Sequence, residues 1–157
     1  QPTTLFADYQ MNFGAAIESK AMSWAFRAAD PKNYYATKLI VSDGNRSEIA
    51  RWAVVDGKAL AAVQLPLSVS LMAGQDYQVQ VRVQGNRFTT WVDNQIIDTW
   101  TDAKLSKGGV GFFADPGERA AVRWVAVNQQ DAGGLGGLFH FGFYLPVLPA
   151  AFPVPVR

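Results

Sequence analysis

An all-β fold, an antiparallel β-sandwich of two sheets, is what this sequence predicts, and three observations predict it. Residues 75–84 keep a strict two-residue period. Tyr77, Val79, Val81 and Val83 fall on one side and Gln78, Gln80, Arg82 and Gln84 on the other, as in a half-buried strand. Clusters of Asp, Asn, Gly and Pro interrupt the chain roughly every 8–12 residues, the spacing of sandwich and barrel turns. No stretch shows a helical period.

The elements follow in order. Residues 20–29 and 33–41 flank Asp30-Pro31-Lys32, where Pro and Asp make a turn rather than a helix. Ser42-Asp43-Gly44-Asn45 leads into a strand over 49–55, and Asp56-Gly57 is a hairpin signal before 60–65. After the alternating strand, Gly85-Asn86 turns the chain into 87–92, and Asp93-Asn94 turns it again into 95–100. Asn and Gly tolerate the positive φ of tight hairpins, so three consecutive antiparallel strands are expected. Residues 108–114 and 120–127 flank Asp115-Pro116-Gly117 and complete about ten short strands.

Composition excludes several classes of function. The 157 residues are 49% hydrophobic, 13% aromatic and only 17% charged, with net charge +1 and no cysteine. The aromatic content and low charge exclude a disordered chain, and the length fits one domain. Near-neutrality offers no footprint for nucleic acid, which requires a clustered positive excess. Without cysteine there is no disulfide, no thiol nucleophile and no thiolate-bound metal. Gln1-Pro2-Thr3-Thr4 carries no initiator methionine and no basic or apolar leader, and reads as a processed end or as a boundary within a longer chain.

One string carries a resemblance. Trp24-Ala-Phe26-Arg27-Ala-Ala-Asp30-Pro-Lys-Asn33-Tyr34-Tyr35 resembles a hairpin of the concanavalin A-like lectin/glucanase superfamily, within it most closely the bacterial laminin G-like and 3-keto-disaccharide hydrolase-type domains. Tyr77-x-Val-x-Val-x-Val, Trp91-Val-Asp-Asn-Gln95, Gly108-Gly-Val-Gly-Phe-Phe and Val122-Arg-Trp-Val-Ala-Val127 fall in the same order as the family's later strands. The resemblance covers roughly residues 5–128. It implies a jelly-roll sandwich with one concave sheet, an extracytoplasmic bacterial setting, secreted or periplasmic, and carbohydrate as partner. Because the matched residues are mostly core and turn positions, it speaks for the fold more than for the function.

The carboxylates do not form the glucanase pattern. Sugar hydrolysis uses two carboxyl groups at a set separation, about 5–5.5 Å for retention and 6.5–9.5 Å for inversion. The superfamily's glucanases meet this with Glu-x-Asp-x-x-Glu, whereas Glu18, Glu48 and Glu118 are isolated and the aspartates sit mostly beside turns. His140 is the single histidine and lies in the least polar segment, a poor place for the base of a Ser-His-Asp triad. The expectation therefore leans toward a non-enzyme, with a glycoside hydrolase or lyase acting on a modified sugar as the alternative. No cofactor is expected. Calcium is the alternative there: Asp43-Gly44-Asn45 and Asp30 with Asn33 offer the oxygen ligands it takes, and the same residues make plain turns. Asn45-Arg46-Ser47 also fits the N-glycosylation acceptor pattern.

Carbohydrate recognition needs aromatic faces beside planar hydrogen-bonding groups. Parity places Trp91 opposite Phe88, Thr90 and Val92, so if those three face the core, Trp91 stands outward beside Gln80 and Arg82. Met22, Trp24 and Phe26 share a face, which sets Arg27 opposite, near a member of the Tyr34/Tyr35 pair. Arg27, Tyr34, Gln80, Arg82, Trp91 and Asp93 are the candidate ligand-binding residues; the alternative for Trp91 is packing beneath a loop or the tail. A non-catalytic carbohydrate-binding or adhesion module is the function expected.

The sandwich domain is assigned to residues 1–131 and an apolar tail to 132–157. The tail has one charge, Arg157, and is rich in Gly and Pro, which disfavours both a regular helix and a membrane span. It is expected to run extended, packed on the domain or on a neighbouring subunit, with a strand over 138–145. This gives a structural or assembly module, forming a homo-oligomer through the tail, as the third reading.

Overall fold

A computed structural model describes residues 6–43 and 46–129. It contains eleven strands among those residues: β1 (Tyr9–Ser19), β2 (Ala21–Asp30), β3 (Asn33–Ser42), β4 (Arg46–Val55), β5 (Lys58–Ala59), β6 (Val63–Pro66), β7 (Asp76–Gln84), β8 (Arg87–Val92), β9 (Gln95–Thr101), β10 (Gly109–Phe113) and β11 (Arg119–Gln129). One sheet runs β11-β1-β7-β8-β9 and the other β10-β2-β3-β4-β5, with β6 also paired to β4. Neighbouring strands are antiparallel throughout.

The expected antiparallel sandwich of two sheets is present, and so are the three hairpin strands β7, β8 and β9. Their turns use the residues expected of them: Gly85, Asp93 and Asn94 all have positive φ, which these residue types tolerate best. Two differences stand out. The strand expected over 60–65 is present only from Val63, as β6, and a two-residue strand β5 precedes it; both are exposed and laid against β4. β1, which joins the five-stranded sheet between β11 and β7, carries its own alternation of Tyr9, Met11, Phe13, Ala15 and Ile17.

The core lies between the sheets. Tyr9, Met11, Phe13 and Ile17 of β1 join Val79, Val81 and Val83 of β7 and Phe88 and Val92 of β8. Opposite them stand Met22, Trp24 and Phe26 of β2, Tyr35 and Leu39 of β3, and Ile49 of β4. At one end the rings interlock, with Phe26, Tyr35 and Trp100 each centred 4.8–5.0 Å from Phe88, near the separation that edge-to-face pairs favour. Since side chains alternate across a strand, this inward set fixes what each sheet shows on its outer face.

Candidate functional site

The outer face of the five-stranded sheet is built from polar residues that the alternation turns away from the core. Register aligns Asn12, Gln80 and Trp91 in one row across β1, β7 and β8, and Gln10, Arg82 and Thr89 in the next. A bulge between Thr90 and Trp91 shifts the β8–β9 pairing, so that Ile96 sits opposite Trp91. Arg82, Gln84, Arg87, Thr89, Trp91, Ile96 and Thr99 together line a shallow depression.

Within it the Arg82 guanidinium stacks over the Trp91 ring, 5.0 Å from its centroid. Stacking holds the planar fork in one orientation. The Arg82 Nε–H is buried and has no hydrogen-bond partner, and no ion pair to Arg82 or Arg87 is found among the described residues. Half-buried Trp91 supplies an apolar surface bordered by amides, hydroxyls and a fixed cation. Chemically, such a surface can bind; it holds no nucleophile–base pair.

Of the six predicted residues, the structure brings Gln80, Arg82 and Trp91 together and sets Asp93 just beyond them. Asp93 occupies the β8–β9 turn at φ 48°, where its Oδ1 accepts the Gln78 N–H at 2.9 Å. Arg27 and Tyr34 lie elsewhere. Parity had set Arg27 opposite Phe26, but Arg27 has a left-handed φ of 45° within an irregular stretch of the β2–β3 pairing. This rotation sends its side chain back over the Phe88 ring, at 5.3 Å. Only 3% exposed, it donates to the Ala7 carbonyl from Nε (3.1 Å) and Nη2 (2.8 Å) and to the Leu105 carbonyl from Nη1 (3.2 Å), and it pairs with Asp8. Burial pulls its pKa below the usual guanidinium value, with Tyr9 and Asp8 opposing.

Tyr34 belongs to the outer face of the other sheet. There Ala25, Tyr34, Ala36, Ala50, Trp52, Val54 and Phe113 form a second apolar cluster, in which Tyr34 and Phe113 are 0% and Trp52 2% exposed. Burial, and then the Asp115 charge, push the Tyr34 hydroxyl up to about 12. Beside the cluster, Lys38 is 3% exposed and pairs with both Asp115 and Glu118, the latter at 2.7 Å. Sequence reasoning missed this trio. The visible signal is a lysine at an outward position among Tyr34, Ala36 and Ile40; Asp115 reads as a turn residue beside Pro116-Gly117 and Glu118 as an isolated glutamate.

Other carboxylates serve the fold. Asp98 is buried against Arg51 at 2.8 Å, and desolvation raises its pKa, opposed by Arg51. Asp102 accepts the Tyr35 hydroxyl at 2.6 Å and pairs with Lys104 at 2.7 Å; although desolvation raises its pKa, these hydrogen bonds prevail and lower it. Of the calcium candidates, Asp30 accepts from the Lys32 N–H and the Asn33 amide, which closes its turn. Gly44 and Asn45 lie outside the described residues, as do His140 and the whole tail. Among the described residues no group of three or more His, Asp or Glu side chains could hold a metal, and no helix is long and apolar enough to cross a membrane.

With this geometry fixed, the chain can be compared with known proteins. No protein-family model matches the sequence, and no curated protein matches it. Solved structures do match in fold. A CBM66 carbohydrate-binding module from Bacillus subtilis superposes with a TM-score of 0.60 at 17% identity, covering 76% of this chain and 73% of that one. Sheep galectin-11 gives 0.58 at 12% identity over 81% and 98% of the two chains, and chicken galectin 2 gives 0.58 at 9% over 76% and 89%. The chain has the concanavalin A-like jelly-roll fold. At these identities the likeness is one of fold, and the expectation drawn from the Phe26-Arg27 hairpin and the later strands holds at that level.

Proposed function

We propose that this concanavalin A-like domain is a non-catalytic carbohydrate-binding or adhesion module of an extracytoplasmic bacterial protein, and that its ligand surface is the outer face of the five-stranded sheet. The observation that carries the reading is the Trp91–Arg82 stack, which joins the Asn12–Gln80–Trp91 row to the Gln10–Arg82–Thr89 row. An indole face takes up the C–H surface of a pyranose while amides, hydroxyls and a guanidinium bond its hydroxyl groups. The solved structures of similar fold, a carbohydrate-binding module and galectins among them, support the class of ligand by analogy. The test is titration calorimetry of the full chain against a panel of soluble polysaccharides. At least one should bind, and Trp91→Ala should weaken it tenfold or more while leaving the urea midpoint nearly unchanged. A panel without binding, or a variant that loses stability and affinity together, refutes the assignment.

A second reading concerns the tail, and the apolar cluster around Trp52 favours it. Three aromatic residues on the outer face of the six-stranded sheet are almost wholly buried, although among the described residues no strand lies over that face. Residues 132–157 are apolar, and their chain leaves β11 at Gln129, paired with Tyr9. The Tyr9 hydroxyl reaches the Gly109 carbonyl of edge strand β10 at 3.5 Å. The proposal is that the tail rounds that edge and covers the cluster, leaving the five-stranded face as the one that meets ligand.

A further inference from the structure

We infer that the ligand is an acidic glycan, whose carboxylate or sulfate is held by Arg82 with Arg87 beside it. This rests on the carbohydrate-binding reading and narrows it. Charge balance within the molecule points to it. Arg27, Arg51, Arg119 and Arg123 each pair with a carboxylate, Asp8, Asp98, Glu18 and Asp76 respectively. Arg46, Arg82 and Arg87 do not; Arg46 lines a depression that also contains Glu48, whereas Arg82 and Arg87 share one with no acidic residue in its wall. Asp93, the acidic residue at the end of β8, sits across from Gln78, four residues from Arg82 along β7 or about 13 Å at the strand rise. Its Oδ1 is committed to the Gln78 N–H.

The second observation is the state of Arg82 itself. Its guanidinium is stacked and therefore oriented, while its Nε–H is buried with no acceptor. Because the Nε–H is shielded, the terminal Nη1 and Nη2 groups of the half-buried side chain are the edge left to an acceptor from outside the chain. Guanidinium geometry fits an oxyanion with two acceptor oxygens better than a neutral hydroxyl group. Nearby Gln84, Thr89 and Thr99 offer the neutral hydrogen-bonding groups suited to the rest of a sugar ring.

The experiment is titration of the full chain with de-esterified pectin, the same pectin fully methyl-esterified, dextran sulfate and unmodified dextran, repeated with Arg82→Gln and with the control Arg46→Gln at the exposed first residue of β4. Tighter binding of the de-esterified form, by tenfold or more over its ester, supports a carboxylate; the same margin for dextran sulfate over dextran supports a sulfate. In either case Arg82→Gln should erase the margin and Arg46→Gln preserve it. Equal binding of charged and neutral forms overturns the acidic-ligand inference and leaves the carbohydrate-binding reading standing. A margin that survives Arg82→Gln, or falls equally in both variants, marks diffuse charge attraction and also overturns it. Absence of binding to all four polymers and to the wider panel removes both.

Discussion

Arg27 shows what a single backbone angle does to a side chain's role. Its guanidinium joins the Ala7 and Leu105 carbonyls to Asp8, whose Oδ1 also accepts the Gly85 N–H at 2.9 Å. It thus ties the start of β1 and the loop after β9 to the turn that leads into Trp91's strand. Arg27→Met keeps much of the length and removes every donor, leaving two carbonyls short of partners. Breaking buried hydrogen bonds to a charged group costs about 3 kcal/mol, so urea denaturation should show a loss of that order. Glycan affinity at a temperature where the variant is folded should match the parent. A variant of full stability that no longer binds would return Arg27 to the ligand site. The contrast also shows what was legible. Trp91's exposure could be read because β7 and β8 keep strict alternation; Arg27's burial could not, because a period of two carries no information about φ.

At the scale of elements, two close approaches set how the strands lie. Over Gly14 of β1, the Trp124 indole from β11 occupies the space of a side chain, with Nε1 2.3 Å from where a Cβ would stand. The register skips a residue at this point, between Gly14 and Ala15. At Gly108, just before β10, an added Cβ would meet the backbone of Arg27 and Ala28 at 2.4–2.6 Å. A side chain can move and a paired backbone cannot. Gly14→Ala should therefore cost about 1 kcal/mol and alter tryptophan fluorescence, whereas Gly108→Ala should cost about 3 kcal/mol, the upper end for overpacking. Equal losses in chemical denaturation would contradict this. These contacts explain why the sequence disclosed strands more readily than bulges. Tyr9-x-Met11-x-Phe13 has the period of β1, a strand absent from the expected set, and the need for glycine at position 14 arises from a residue 110 positions further on.

For the molecule as a whole, the consequence is a division of labour between two outer faces. One displays Gln80, Arg82 and Trp91 to solvent; the other buries Tyr34, Trp52 and Phe113. The low overall charge of the chain has its counterpart here, because the segment proposed to cover the second face has Arg157 as its one charge. Phe139, Phe141, Phe143 and Leu145 recur at every second position after a glycine-rich stretch. That period lets one edge of an extended segment meet an apolar sheet, and the glycines let it turn. Replacing Phe139, Phe141 and Phe143 together by Ser in the full chain removes that edge without shortening the protein. Re-exposing three aromatic residues costs roughly 1.5–3 kcal/mol for each that becomes fully solvated, so the unfolding midpoint should fall clearly. Binding of a hydrophobic dye should rise several-fold while the far-ultraviolet spectrum keeps its strand signature. If midpoint and dye binding stay as in the parent, the tail does not cover this face. If the parent's midpoint rises with protein concentration and sedimentation shows a dimer, the covering segment comes from a second copy, and the tail's role is assembly.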